Sequence, residues 1–381
     1  MIKVIAGDIG GTKTRLATVE VEVTQVRPRH GGAEPSGAGV SASHLLPQTA
    51  GFDITSDLAS VVGSPSRMAS SSISNVSKVR VEREISYPSR DFDTFEALLA
   101  EFLKGVQAPS HAAFGIAGPV LGGAVRTTNL PWYIEADVLR QHFGFKTCSL
   151  LNDLEATGCG LPALGAEDLV TLQEGEPKAI GNAAIIAAGT GLGEAGMYWD
   201  GERYHPYATE GGHASFSPQT ELEFALLRYL QMRYSHVSWE RVVSGMGLVD
   251  LHDFLRAYRK VPIPQRLADE MRGNDAAAVI SRAALSGSDD ICVETLEIFV
   301  QLYGAEAGNL ALKSMSRSGL YVGGGIAPKI LPLLQRDIFM QAFLNKGRMR
   351  VLLEAMPVRV ILNDRVALYG PALYAGRNAN V

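Results

Sequence analysis

Five short stretches of this chain carry residue types suited to chemistry. The first is Gly7-Asp8-Ile9-Gly10-Gly11-Thr12-Lys13-Thr14. A tight glycine turn lets backbone N–H groups converge on phosphate oxygens, while Thr12 adds a hydroxyl and Lys13 a point charge. Asp8, at the end of an apolar run, suits orienting a magnesium ion through water. The second is Gly189-Thr190-Gly191-Leu192-Gly193-Glu194-Ala195-Gly196, again glycines and a threonine after an apolar run. The third is the pair Asn152-Asp153, where Asp153 can take a proton from a hydroxyl that attacks a phosphoryl group. It can equally well cap a helix that starts at Leu154, and the local sequence does not separate the two roles. The fourth, Glu210-Gly211-Gly212-His213, has the Glu-x-x-His spacing of metal ligands on a helix. Its two glycines are poor helix formers, so a loop offering a carboxylate and an imidazole to vicinal hydroxyls is the better reading. Glu240, in Ser238-Trp239-Glu240-Arg241, reads locally as an exposed helix charge, with a hydroxyl acceptor as the alternative. The fifth, Gly323-Gly324-Gly325, allows close backbone approach to a flat group such as an adenine ring.

Two better-known phosphate motifs lie close to these stretches and fail on context. Thr12 stands where G-x-x-x-x-G-K-[ST] needs glycine, and such a loop must open a helix. Here Thr14 to Val23 alternates apolar and polar residues and predicts a strand. Gly191, Gly193 and Gly196 satisfy G-x-G-x-x-G, with Glu210 roughly the expected 20 residues on. The residues after Gly196, MYWDGERYHPY, predict two strands joined at Asp200-Gly201, which leaves no helix N-terminus for a pyrophosphate.

The elements that position these stretches follow from periodicity. Ile2 to Gly7 predicts a strand, and with the strand after it forms a hairpin. Residues 24–79 are rich in Ser, Gly and Pro with little periodicity and predict a mobile insertion. Alternation resumes at Val79. Asp93 then predicts the N-cap of a helix bearing Phe95, Leu98, Leu99, Phe102 and Leu103. Ala112–Ala117, Val125–Thr128 and Cys148–Leu151 predict strands, and Ile134–Phe143 a helix. In the second half Ala183–Ala188 predicts a strand, and a hairpin lies within Met197–Tyr207. Helices are predicted over Glu221–Tyr234, Trp239–Tyr258 and, as a pair, Ala276–Met315. Leu320–Gly325 and Val358–Leu362 predict strands, and Val366–Ala375 a last helix. Each half thus opens with strand, glycine turn and hairpin, which suggests duplicated α/β domains around a cleft.

The bulk properties set limits. A length of 381 residues with 46% hydrophobic and 20% charged residues fits a globular protein of two or three structural units. A formal net charge of −5 argues against a nucleic-acid partner. Three scattered cysteines make neither a zinc knuckle nor a disulfide framework and fit a reducing compartment. The residues after Met1 lack the basic and apolar parts of a signal peptide, and no apolar run reaches about 18 residues, so a cytoplasmic protein without a membrane span is expected.

Taken in order, GDIGGTKTRLA, IAGPV with TTNLPW, LLNDLEATG, AAGTGLGEAG, EGGHASFSP, ERVVSGMGL and YVGGGIAPKI make the chain resemble the bacterial-type glucokinases. Only residues 24–79 of the stretch up to about Ile330 are unmatched. The resemblance implies an α/β, actin-like (ribonuclease H-like) duplicated sugar-kinase fold. The smaller domain would hold residues 1–163 plus 362–381, and the larger residues 164–361. It implies transfer of the γ-phosphate of ATP, with Mg2+, to the 6-hydroxyl of glucose, with Asp153 as general base. Glucose would be held by Asn152, Asp153, Glu210, His213, Glu240 and Asn129. The nucleotide phosphates would meet Asp8, Gly10, Gly11, Thr12, Lys13, Gly189, Thr190 and Gly191, and the adenosine Gly323, Gly324 and Gly325. Relatives also suggest a homodimer. Two features depart from the pattern: Lys13 stands where many relatives have asparagine, and the insertion has no counterpart in compact relatives. No cysteine lies between Ala214 and Glu221, and no helix-turn-helix is expected ahead of Met1, so neither a zinc-dependent member nor a DNA-binding regulator is expected. A kinase for another hexose and a catalytically silent sugar sensor remain alternatives.

Overall fold

Alternating side chains on the first strands dictate a sheet that is covered on both faces. The computed structural model describes residues 1–22, 78–127 and 129–379. Strand β1 (Ile2–Ile9) pairs antiparallel with β2 (Lys13–Glu22), which pairs antiparallel with β3 (Lys78–Pro88). The segment 24–79 read as an insertion lies outside the described residues, except that its last two positions open β3. Helix α1 (Phe95–Leu103) follows, then β4 (His111–Ile116). The short strands β5 (Ala124–Arg126) and β6 (Tyr133–Glu135) form a separate ribbon. Helix α2 (Ala136–Phe143), β7 (Thr147–Asn152) and α3 (Asp153–Gly160) complete this half. The sheet order is β3-β2-β1-β4-β7, with β1, β4 and β7 parallel.

The second sheet repeats that order. Strand β8 (Leu169–Gln173) precedes β9 (Ala183–Ala188), β10 (Leu192–Trp199) and β11 (Tyr204–Thr209). A run of helices intervenes: α4 (Glu221–Gln231), α5 (Gly245–Arg259), α6 (Gln265–Gly273), α7 (Ala276–Leu285) and the 25-residue α8 (Asp290–Ser314). Strand β12 (Gly319–Gly323) follows, then α9 (Leu331–Leu334), α10 (Asp337–Leu344), α11 (Arg350–Glu354), β13 (Val358–Ile361) and α12 (Val366–Asn378). The order is β11-β10-β9-β12-β13-β8; β9 runs antiparallel to β10 and parallel to β12, as β1 does to β2 and β4. The two halves therefore share one plan, with β8 added at the edge of the second.

Period-2 patterning divides each sheet between two cores. Ile5, Ile9, Leu16, Phe114 and Ile116 face α1 and the buried Trp132. Val4, Ala6, Ala17, Val19 and Ala113 face Leu368, Ala372 and Leu373 of α12. In the second sheet Ala184, Ile186 and Ala188 face a large core with Leu251, Phe299 and Tyr303. Its opposite face, with Ala183, Ile185, Ala195 and Met197, meets Leu154 of α3. The helix predicted from Ile134 starts only at Ala136, because Tyr133–Glu135 pairs with β5 instead. Thr94, not Asp93, caps α1, its hydroxyl accepting the Ala97 N–H at 3.2 Å. Among the described residues no helix is long and apolar enough to cross a membrane.

Helices α3 and α12 cross at Gly160 and Gly370. A Cβ at Gly370 would run into the Ala156 carbonyl and come 3.0 Å from the Gly160 nitrogen. Backbone cannot yield as a flexible side chain can, so Gly370→Ala is expected to cost about 2–3 kcal/mol or more in urea unfolding. Gly273→Ala, at the end of α6 with open space around it, should be neutral or slightly stabilising. Equal stabilities for the two variants would remove the crossing as a constraint.

Candidate active site

The parallel strands β1, β4 and β7 end level with one another, since Ile9 pairs with Ile116 and Ile116 with Asn152. The loops that leave this edge are the Gly10–Lys13 turn, the Ala117–Gly118 turn and the start of α3. Crevices outside the carboxyl ends of parallel strands are where α/β folds hold ligands.

The Gly10–Lys13 turn is closed by Gly10 N–H donating to the Lys13 carbonyl at 3.1 Å. It is pinned from β3 by Ser89, which is fully buried. The Ser89 hydroxyl donates to the Gly10 carbonyl at 2.7 Å and lies 2.9 Å from the Thr14 hydroxyl, and its N–H donates to the Thr12 carbonyl at 3.0 Å. Ser89 escaped sequence reading because a serine after a strand carries no pattern. Thr12 and Lys13 are exposed and free to meet a ligand. Asp8 is half-buried, and its Oδ2 accepts from Arg15 at 2.9 and 3.3 Å. Arg15 also pairs with Asp364, ahead of α12, at 2.8 Å. Oδ1 of Asp8 has no such bond. Asn129 sits over the turn: a Cβ at Gly11 would come within 2.7 Å of the Asn129 Cβ.

The ambiguity at Asn152-Asp153 resolves into a division of labour. Asn152 is the N-cap of α3, its Oδ1 accepting the Leu154 and Glu155 N–H groups, while Glu155 bonds back to the Asn152 N–H. Its amide also donates to the Gly118 carbonyl at 3.2 Å, which leaves one amide hydrogen for a ligand. Asp153 is thereby released from capping, although its Oδ1 accepts the adjacent Leu154 N–H. Burial raises the Asp153 carboxyl to a pKa of about 6, helped by the nearby charges of Asp8 and Glu210 and opposed by the Leu154 N–H. The neighbouring Leu154 packs against the second sheet, where a Cβ at Gly193 would come within 2.7 Å of its Cδ1. Asp153 thus stands where the first sheet's edge meets the β9–β10 turn.

That turn is the second glycine stretch. Gly189 N–H donates to the Gly191 carbonyl and the Gly245 N–H to the Gly189 carbonyl, both at 2.8 Å, and Thr190 is exposed. Glu240 lies against Gly191, where any side chain would strike its carboxylate, and accepts the Leu192 N–H at 3.1 Å. It is not on a long helix but on a 3-10 turn, Trp239–Arg241, and its side chain is only 17% exposed. The exposed-charge reading of Glu240 is therefore corrected: the carboxylate is largely buried and accepts a backbone N–H. His213 stands between two carboxylates, with Nε2 3.9 Å from Glu210 and Nδ1 4.0 Å from Glu240. Glu210 precedes and His213 ends a 3-10 turn, Gly211–His213, so neither stands on an α-helix. Among the described residues no group of three or more His, Cys, Asp or Glu side chains is arranged to hold a metal ion.

The third glycine stretch adjoins the second. Gly324 has φ +82°, and a Cβ there would strike the Ala188 carbonyl. Ile326 N–H donates to that carbonyl at 3.2 Å. The buried Tyr303 hydroxyl lies between the strands, accepting the Ala188 N–H and meeting the Gly323 and Ile186 carbonyls at 3.2 and 3.3 Å. Gly325 faces open space.

The whole arrangement has known counterparts. The family model described as Glucokinase matches residues 58–378. A glucokinase of Trichormus variabilis is 44% identical over 322 residues, covering 80% of this chain and 94% of the relative. Among solved structures, the glucokinase from an Antarctic psychrotroph aligns with a TM-score of 0.74 at 26% identity, over 99% of each chain. A ROK family glucokinase from Streptomyces griseus, solved in complex with glucose and AMPPNP, has the same fold at a TM-score of 0.57 and 20% identity, over 98% of this chain and 99% of that one. The actin-like sugar-kinase architecture expected from the motifs is thus the one present. With a matching family model over most of its length and a curated relative at this identity, the chain belongs to the glucokinase family.

Proposed function

We propose that this protein transfers the γ-phosphate of Mg·ATP to the 6-hydroxyl of glucose, with Asp153 as general base. The carrying observation is a carboxyl group with a pKa near 6 standing between two glycine turns and a Glu–His–Glu cluster. In this reading glucose hydroxyls meet Glu210, His213, Glu240, Asn129 and the free amide hydrogen of Asn152. Ionised carboxylates make the stronger hydrogen bonds to hydroxyls, and vicinal hydroxyls need several acceptors at fixed angles. The nucleotide phosphates lie along the Gly10–Lys13 and Gly189–Gly191 turns, with Lys13 in direct reach of phosphate and the adenosine over Gly324 and Gly325. Asp8, held in place by Arg15, would orient the Mg2+ that ATP brings.

The reaction then balances simply. The glucose O6–H gives its proton to Asp153 as O6 forms a bond to the γ-phosphorus. The bond from that phosphorus to the β–γ bridging oxygen breaks, and ADP leaves with the magnesium. Loose phosphoryl transfer requires mainly in-line positioning and charge neutralisation, which the two turns and the metal supply. Residues 1–163 with 362–381, and residues 164–361, form the two lobes that close on the sugar in this reading. Closure excludes water, which is the competing acceptor. We extend the reading to a homodimer, which light scattering on the purified protein checks.

Asp153→Ala should lower kcat by about 10^2- to 10^4-fold while glucose still binds by calorimetry; near-normal turnover would assign the base elsewhere. Only the carboxylate accepts the proton, so kcat/KM for glucose should fall as the pH drops through about 6. Asp153→Asn should also raise the melting temperature at pH 8 but not at pH 4. The folded pKa lies above the ordinary 3.8, so the wild type loses stability as the pH rises through about 6 and the amide does not. His213→Ala or Glu210→Gln should raise the glucose KM far more than the ATP KM, and an unchanged glucose KM would remove them from the sugar site. Finally, Mg·ATP and a panel of glucose, mannose, fructose, glucosamine and N-acetylglucosamine should yield glucose 6-phosphate as the dominant product. Turnover of a different hexose alone would keep the mechanism and change the substrate.

A further inference from the structure

Beneath the sugar-binding turn lies a carboxylate that the mechanism does not use. Glu194 points from the middle of β10 into the protein and is 1% exposed. Its neighbours across the sheet, Ile186 and Thr209, carry no charge. The turn rests directly on it. A side chain at Gly211 would collide with the Glu194 carboxyl and lie 3.3 Å from its Cβ, and one at Gly212 would collide with the Leu192 carbonyl of the same strand. The Thr209 hydroxyl ties the two together, donating to the Glu194 carbonyl at 2.8 Å and accepting the Gly211 N–H at 3.2 Å.

The other side of Glu194 faces α8. Glu306, fully buried, acts on the Glu194 carboxyl from that side and raises its pKa. Glu306 is already served by two donors, Asn309 at 2.7 Å and Lys313 at 3.0 Å, whereas Oε1 of Glu194 has no hydrogen-bond partner. Two buried carboxylates in contact repel, and neither can donate to the other. With Glu306 already met by Asn309 and Lys313, the Glu194 carboxyl is the one left to hold a proton. The remaining ionisable groups around the pair are Tyr303 on α8, Lys346 after α10 and Glu223 on α4, with Glu210 and His213 on the turn itself.

We propose that Glu194 is a positioning residue of the sugar site, its buried carboxyl serving as the floor under Gly211 that fixes where Glu210 and His213 stand. Burial and the Glu306 charge raise its pKa to about 8, so the proton is held at neutral pH and lost in mild base. Loss of that proton puts an uncompensated buried charge directly below the turn. The predicted consequence is a sugar site that loosens above pH 8 while the nucleotide turns, held by Ser89 and Tyr303, do not change. The inference rests on the assignment of Glu210 and His213 to the sugar.

Steady-state kinetics of the full chain across pH 6.5–9.5 test it with Glu194→Gln and Glu194→Ala. Glutamine keeps the shape and a donor but cannot ionise. Glu194→Gln should therefore keep the wild-type glucose KM at pH 7 within about twofold and hold it flat to pH 9.5, where the wild-type KM rises. Glu194→Ala should raise the glucose KM about tenfold at pH 7 with the ATP KM within about twofold. Should the alanine variant fail to fold, the contrast between wild type and Glu194→Gln above pH 8 decides alone. The same alkaline rise in both proteins, or none in the wild type, overturns the inference. His213→Ala measured alongside separates the two levels. A raised glucose KM there with unaffected Glu194 variants sinks only this inference, and an unchanged one sinks the sugar turn with it.

Discussion

The structure depends on keeping one carboxyl group partly out of water at the start of a helix. Helix α3 begins at Asp153, and a helix N-terminus favours the ionised form by about 0.3–1 kcal/mol, which is less than one pKa unit. Burial acts in the opposite sense and reaches 3–5 units for a fully enclosed acid. The outcome near 6, against an ordinary 3.8, means that burial wins, but only in part. That balance suits a base: the group is ionised at neutral pH, yet holds a proton more readily than a free aspartate. It requires Asn152 to do the capping, since Asp153 bonded to the helix backbone through both oxygens would become a weaker base. It also requires Leu154 to seal the side facing Gly193, so both sheets contribute to the property of one atom pair.

Glycine recurs at this junction for a steric reason. At Gly191, Gly193, Gly211 and Gly324 a Cβ would meet, respectively, the Glu240 carboxylate, the Leu154 side chain, the Glu194 carboxyl and the Ala188 carbonyl. Each glycine thus lets a backbone pass against a group of the other strand or turn. Those contacts bring the glycine turns, Asp153 and the Glu210–His213–Glu240 cluster toward one another. The cost falls on chain entropy and is offset by fixed anchors: Ser89 under the first turn, Tyr303 between β9 and β12, and Thr209 beneath the Gly211–His213 turn.

The elements were most legible where a local period dominates. Ala183–Ala188 has the bounds its apolar run predicts, and the strand–turn–hairpin openings of both halves were readable without any ligand. What escaped was decided by distant partners. Leu169–Gln173 is a strand because β13 offers it an edge, and Tyr133–Glu135 is one because β5 does. Ser89 and Tyr303 matter through carbonyls 79 and 20 residues away, which no window of sequence contains. Glu240 reads as a surface charge until the Leu192 N–H is seen beside it. Asn152 and Asp153 were ambiguous locally because either can cap a helix, and only the bonds to Leu154, Glu155 and Gly118 divide the roles.

The duplicated plan also explains why the two halves are not equivalent chemically. In the first sheet the residue one step before the end of β1 is Asp8, an acid held by Arg15. The matching position in the second sheet, Ala187 on β9, bears no charge. The first turn therefore carries an acid at its entry, and the second offers only N–H groups and a threonine hydroxyl. Arg15 extends that asymmetry, because it bonds Asp8 on one side and Asp364 on the other, where the chain leaves β13 and returns to the first sheet as α12. The side chain that orients the acid is thus fastened to the segment through which the two halves are joined. Because α12 packs on the first sheet, the Arg15–Asp364 pair ties the orientation of Asp8 to the start of that helix within one half.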